Sequence, residues 1–480
     1  MIKRMSKQPL RTRFAPSPTG LIHIGGIRTM LFAWLYARQN KGQFVLRLED
    51  TDRERFDEAA EAQILEVLDW LGLNHDEGPD IGGDFEPYRQ SDRLDSYLPY
   101  ALDLIKQGKA YADPTPSEKL TEYREQAKAE KRPFHYREHR PTDPPAWTKG
   151  MPIRLKIDEL ESPEWFDLVR GKQASSTDNI DDFILIKADG YPTYNFAHII
   201  DDHEMKINLV VRGDEFVSSM PKFLLLYKAL EIEVPQFAHV PAVWGETGNK
   251  KLSKRDGDVD TLLYRDKGYL PEALLNFLAL LGWNDGTEQE LFSIDELIKK
   301  FDFSRVQSSP ARFNQDRLDW INGTYIRNQS FDELKKLAEN FWPDYAMQAE
   351  DEYRDNILKL VQDRLKYMAE LPELVEFFFK APTITLDEVL ESDKQLRKKL
   401  EPTAAKQIIA DIIEVLNSSD FSVENLEKLL RNYADSSEHS TGVIFKLIRI
   451  SVTGQIAAPP LFDTLQTLGK TETLARLNNV

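Results

Sequence analysis

Apolar residues recur along this chain in two rhythms, and their alternation sets the expected architecture. Ile27, Met30, Leu31, Trp34 and Leu35 fall three or four apart, as on one helix face, and the run stops at Asn40-Lys41-Gly42. A short unbroken run follows, Phe44-Val45-Leu46 with Leu48 behind it. It reads as a buried strand that delivers Glu49, Asp50 and Asp52 at its carboxyl end. Helical spacing returns at Ile64, Leu65, Leu68 and Leu71, ending at Gly72. It returns again through Leu94, Tyr97, Leu98 and Ile105, with Ser91 as the expected cap. Strand-like runs then appear at 153–157, 183–187 and 209–211, and a helix entered through Pro221 carries Leu224, Leu225, Tyr227 and Leu230. Strands alternating with helices predict an α/β fold on a parallel sheet, with ligands at the carboxyl ends of the strands.

Two regions break that rhythm. Residues 111–150 are charged, proline-rich and poor in aliphatics. They read either as a solvated helix and loop or as an insertion whose Lys128, Lys131, Arg132, His135, Tyr136 and Arg137 meet a polyanion. The last third is helical throughout: Ile357, Leu360, Val361, Leu365 and Met368 form one expected stripe. Ile408, Ile409, Ile412, Ile413 and Leu416 form another, and Phe421-Ser422 with Leu426 fits a cap and staple. Nothing in these stripes identifies an RNA reader.

Composition narrows the function classes. The 480 residues suffice for roughly three domains, and 41% hydrophobic content supports proper cores. A net charge of −18 argues against a simple cationic coat for nucleic acid, although a local basic face is compatible with it. The chain has no cysteine, which excludes disulfides, thiol catalysis and cysteine-ligated zinc. No apolar run approaches the ~20 residues of a spanning helix, and the basic start MIKRMSKQPLR lacks the apolar core of a secretory signal. A cytoplasmic protein with no membrane partner is the expectation.

The candidate chemistry sits in two loops. RFAPSPTGLIHIGG leads into the first helix, where His23 and the Gly25-Gly26 helix start suit phosphate: exposed backbone N–H groups, a partial positive charge and close approach. The spacing is neither GxGxxG nor GxxxxGK[ST], so neither a dinucleotide fingerprint nor a P-loop is indicated. Much later, GNKKLSKRDGD gathers Lys250, Lys251, Lys254 and Arg255 around Ser253. Ammonium groups there can close over a polyphosphate and neutralise the charge that grows as pyrophosphate leaves.

These two loops resemble the HIGH and KMSKS signatures of class I aminoacyl-tRNA synthetases. RFAPSPTG, LRLEDTD, YRQSDR, DGYPTYNFAHIIDDHEM, VVRGDE, KLSKRDG, YLPEALLNFLALLGW and FNQDRLDWINGTYIR, in that order, make the chain similar to the bacterial-type glutamyl-tRNA synthetases from residue 11 to about 330. A weaker match, RISVTGQ…PPLFDTL…LGK, extends the likeness to the C-terminus. The resemblance implies a Rossmann-like parallel-sheet catalytic domain split between 1–110 and 201–245, with an inserted acceptor-binding domain at 111–200. A KMSKS-loop and stem-contact domain at 246–327 and an all-α anticodon-binding region at 328–480 would follow.

Carried over residue by residue, Arg13, Ala15 and Ser17 hold glutamate, Glu49 takes its amino group, and Tyr194 and Arg212 make further substrate contacts. His198 is placed with them, a core role remaining open. His23, Gly25, Gly26, Glu215 and the run Lys251, Leu252, Ser253, Lys254 and Arg255 are assigned to ATP, with His23 and Lys254 in the catalytic roles. Phe216 stands where the family often has His or Trp. Ala112, Asp113 and Pro114 occupy the stretch where several relatives carry zinc cysteines, so no zinc is expected; His135 and His139 alone make a poor site. The implied reaction joins L-glutamate to tRNA(Glu) with ATP and Mg²⁺, activation depending on bound tRNA. The implied protein is a monomer. The alternative is a non-discriminating form that also charges tRNA(Gln). A glutaminyl-type enzyme fits the PSPTG loop and helical tail less well, and a non-catalytic paralogue would be expected to lose His23, Lys254 or Arg212.

Overall fold

The computed structural model describes residues 8–52, 55–158, 162–175, 180–246 and 260–480. Eleven strands are present among them: β1 (Arg11–Phe14), β2 (Gln43–Leu46), β3 (Ala110–Ala112), β4 (Ile153–Leu155), β5 (Glu164–Asp167), β6 (Gly171–Ala174), β7 (Ile184–Ile186), β8 (Leu209–Gly213), β9 (Gln236–Val240), β10 (Val243–Trp244) and β11 (Ala311–Arg312). Six of them form one sheet in the order β2-β1-β8-β9-β5-β6, parallel except for β6 at its edge. The chain leaves β1 for β2 on one side and meets β8 on the other. That reversal opens a crevice at the carboxyl ends of β1 and β8, the standard ligand position of such sheets.

The first six α-helices in chain order are α1 (Ile24–Gln39), α2 (Glu58–Leu71), α3 (Leu94–Lys106), α4 (Ser117–Ala129), α5 (Tyr194–Glu204) and α6 (Met220–Leu230). Helix α1 connects β1 to β2 and buries Ile27, Met30, Leu31, Trp34 and Leu35, the face its spacing predicts. It stops at Asn40, where Lys41 takes a left-handed φ of 53°. A separate antiparallel sheet, β3-β4-β7, lies within the stretch between β2 and β8.

Two compact units emerge, Met1–Tyr264 with Leu274–Gln315, and Arg265–Ala273 with Asp316–Val480. The second is helical. Pro402–Asn417 buries Ile408, Ile409, Ile412 and Leu416, and Ser422 caps Val423–Ser436 by accepting from the Asn425 N–H. No described helix is long and apolar enough to cross a membrane.

Some local expectations were displaced. Ser91 does not cap α3: its N–H and hydroxyl both donate to Asp50, at 2.8 and 2.6 Å, and a 3₁₀ turn at Gln90–Arg93 precedes the helix. The buried face of α2 is Ile64, Val67, Leu68 and Leu71, and that of α6 includes Phe223, Leu226 and Tyr227. The stripe from Ile357 ends with its helix at Val361; Leu365 and Met368 are buried from the turns beyond it. In each case a turn or the neighbouring sheet decided which residues face inward, not period alone.

Candidate functional site

At the β1/β8 crevice lies a cleft of about 460 Å³, lined by Arg13, Ala15, Ser17, His23, Gly25, Gly26, Glu49, Tyr194, Arg212, Glu215 and Phe216 among others. All the predicted glutamate residues except His198, and the described ATP residues, thus line one cleft. His198 is buried behind Tyr194, its ring 4.9 Å from that tyrosine and edge-on to Phe223 at 4.7 Å. Burial pushes its imidazole down to about 4, so it is neutral at pH 7. Lys251, Leu252, Ser253, Lys254 and Arg255 lie outside the described residues.

The phosphate-suited end is built by the helix start. His23 caps α1: its Nδ1 accepts from the Gly26 N–H at 3.1 Å. That bond fixes the tautomer, leaving the proton on Nε2. The first turn carries no acidic residue, so no carboxylate of that turn offsets the partial positive charge of the helix end. A Cβ on Gly25 would come within 3.2 Å of the His23 ring, so glycine here keeps the cap in place. Arg28, buried on the same helix, donates to the Leu281 carbonyl at 3.0 Å and to the Pro241 carbonyl, tying α1 to the far side of the cleft.

The opposite end is a lattice of charges. Arg13, on β1, donates from Nε to Asp202 at 3.0 Å. Arg47, wholly buried just beyond β2, donates to the same Asp202 oxygen at 2.7 Å and to Glu49 at 3.0 Å. Asp201 takes Arg93 at 2.7 Å, Gln90 at 2.8 Å and the Tyr97 hydroxyl at 3.0 Å. Despite burial, the arginines hold the Asp202 carboxyl far below the usual carboxylate range, whereas burial raises that of Glu49. Glu49 is fixed by its backbone too: its N–H donates to Pro16, and its carbonyl accepts from the Ser17 hydroxyl at 2.9 Å. A carboxylate so held suits an ammonium group.

Arg212 differs. It lies on β8, is 6% exposed, and has no carboxylate in ion-pair contact among the described residues. Its Nε donates to His239 Nε2 at 3.1 Å, one terminal nitrogen meets the Met220 sulfur at 3.0 Å, and the other has no hydrogen bond. The guanidinium carbon lies 5.1, 4.6 and 5.3 Å from the Phe216, Phe223 and Phe237 rings. Phe216 therefore packs on the cation as well as lining the cleft. A desolvated guanidinium with rings and an imidazole for company suits an anion.

In the stretch around β3, Asp113 accepts from Arg154 at 2.6 Å and from Tyr136, so an ion pair and a phenol clasp that segment. His139 stacks on Tyr123 at 3.8 Å. Of the six residues offered to a polyanion, Tyr136 is buried, while Arg132 pairs with Glu130 and Glu138. Sequence reasoning missed Arg47, Asp167 and His239. Their signal was a polar residue inside an apolar strand run, LRLED, WFDLV or FAHVP, which a buried partner has to justify.

Residues 9–320 match the family described as tRNA synthetases class I (E and Q), catalytic domain, and residues 333–480 match the anticodon binding domain. A glutamate–tRNA ligase of Dehalococcoides mccartyi is 42% identical over 473 residues, covering 98% of this chain and 96% of its own. One from Moorella thermoacetica is 41% identical over 483 residues, covering 98% and 97%. The crystal structure of a glutamate tRNA ligase from Elizabethkingia meningosepticum, in complex with its amino acid, superposes with a TM-score of 0.87 at 34% identity, covering 98% and 99%.

Proposed function

The chain belongs to the class I tRNA synthetases of the glutamate and glutamine type, and from that premise we propose that it is a glutamate–tRNA ligase. The observation that carries the choice of amino acid is Arg212, a buried cation on the cleft wall with no carboxylate in ion-pair contact among the described residues. A glutamate side chain would complete that charge pair; an amide would leave it uncompensated. Glu49 takes the α-amino group, Arg13 and Tyr194 flank the side chain, and the α-carboxylate is left facing the His23–Gly26 helix start.

ATP enters as its magnesium complex with its phosphates on that helix start. A glutamate α-carboxylate oxygen attacks the α-phosphorus, the bond to the β-phosphate oxygen breaks, and pyrophosphate leaves. A ribose hydroxyl of the terminal tRNA adenosine then attacks the carbonyl and AMP departs. No protein nucleophile is required: catalysis is positioning and charge neutralisation. His23 Nε2–H donates to a phosphate oxygen, Glu215 serves the nucleotide, and Lys254 steadies the departing pyrophosphate. Residues 111–200 hold the acceptor end, and 328–480 read the anticodon of tRNA(Glu).

Exchange of labelled pyrophosphate into ATP tests the reading. Glutamate should support exchange only when tRNA(Glu) is added, and glutamine should not support it at all. No exchange with glutamate under any tRNA condition overturns it.

A further inference from the structure

Beyond the cleft, the carboxyl edge of the sheet carries a second polar chain, and none of its inner members lines the cavity. Asp167 ends β5, His239 lies on β9, and Arg212 lies on β8 as the register partner of His239. Asp167 and His239 are both fully buried. Asp167 Oδ2 accepts from His239 Nδ1 at 2.5 Å, and Arg212 Nε donates to His239 Nε2 at 3.1 Å. The carboxylate is itself pinned, accepting the N–H groups of Val169 and Arg170 at 3.0 Å and of His239 at 3.2 Å. Burial of an aspartate and a histidine has a large desolvation cost, and fold alone would be served as well by apolar residues.

We propose that Asp167 and His239 are positioning residues for glutamate recognition: the aspartate fixes the imidazole as its Nδ1–H tautomer, and bare Nε2 then holds the guanidinium of Arg212 by its Nε. This rests on Arg212 being the carboxylate receptor. Held by Nε, Arg212 keeps its terminal nitrogens for the substrate. The opposite tautomer would set two N–H groups against each other and swing the guanidinium away. The charged groups facing His239 are Asp167 from β5, Arg170 from the turn after it, and Arg212 from β8. Burial, with the two arginines, favours the neutral ring and outweighs Asp167, so its proton affinity lies below the ordinary histidine range. Acid therefore converts Nε2 from acceptor to donor, and glutamate affinity falls as pH drops through that lowered value.

Steady-state aminoacylation by the full enzyme, with KM measured separately for glutamate, ATP and tRNA, tests this. His239→Asn keeps a donor for Asp167 but loses the acceptor for Arg212, and should raise the glutamate KM about tenfold or more with the other constants nearly unmoved. Asp167→Asn, which presents a donor to Nδ1 and inverts the tautomer, should do the same. His239→Gln restores an acceptor at the Nε2 position, so its rise should be smaller, and the acid rise in glutamate KM seen in unaltered enzyme should vanish. If Arg212→Lys raises the glutamate KM while His239→Asn leaves it at the unaltered value, or matches His239→Gln, the positioning role is overturned and the Arg212 reading survives. If Arg212→Lys changes nothing, both fall. Should the Asn variants not fold, ¹⁵N spectra of the unaltered enzyme decide: the imidazole should carry its proton on Nδ1, and an Nε2–H tautomer overturns the proposal.

Discussion

Two sets of buried arginines serve one cleft and are built in opposite ways. Arg13, Arg47 and Arg93 are each matched by a carboxylate: Asp202, Glu49 and Asp201 take them at 2.7–3.0 Å. Arg212 is matched by an imidazole, a sulfur and three rings. Charge that is balanced within the fold stays in place whether or not a ligand comes. Charge left unbalanced is a demand on the ligand. The first set is therefore read as framework that also orients Glu49, and the second as the part that selects.

Three measurements would break or sharpen that contrast. The largest effect should come from the balanced set. Arg47→Met leaves Glu49, Asp201 and Asp202 buried with too few cations, and chemical denaturation should show a loss of about 3–5 kcal/mol. A loss below about 1 kcal/mol would mean the lattice is not framework. Arg212→Met should behave in reverse. It removes a desolvated cation that has no carboxylate, so stability should hold within about 1 kcal/mol or rise, while the glutamate KM rises about 100-fold. Substantial unfolding in this variant would erase the distinction between the sets.

The smallest effect concerns the neutral histidine between them. His198 has its folded value lowered to about 4, whereas the unfolded chain takes up the proton near ~6.5. Because the unfolded state binds more protons in that interval, stability is intact above it and falls as pH drops from about 6.5 towards 4. Replacing the ring by His198→Phe should flatten this limb by about 2 kcal/mol between pH 7 and 4.5, read from denaturation midpoints. An unchanged slope would show that the ring is protonated within the fold.

Much of the frame was legible in advance because it rests on short-range rules. The β1–α1–β2 unit, its stop at Asn40-Lys41-Gly42, the cap at Ser422 and the Pro221 entry all follow from local period and capping. The candidate residues within the described segments were placed by motif and line one cleft, except His198, which one helical turn carries beneath Tyr194. Partners far apart in sequence were not legible. Arg47 lies 155 residues from Asp202, and Asp167 lies 72 from His239. The packing of α5 beside the sheet joins the first pair, and the strand order joins the second. Even the cap His23 escaped a reading based on Ser, Thr, Asp and Asn.

The same unbalanced arginine has a practical side. A protein that holds a buried cation beside an open, donor-lined cleft is an anion scavenger. Sulfate, phosphate or citrate in a storage buffer should occupy the carboxylate position, and affinities measured there would describe displacement and not binding. A bulky zwitterionic buffer low in small anions would give the truer glutamate constant. If that imbalance selects the substrate as proposed, the enzyme's apparent specificity depends on the company it is kept in.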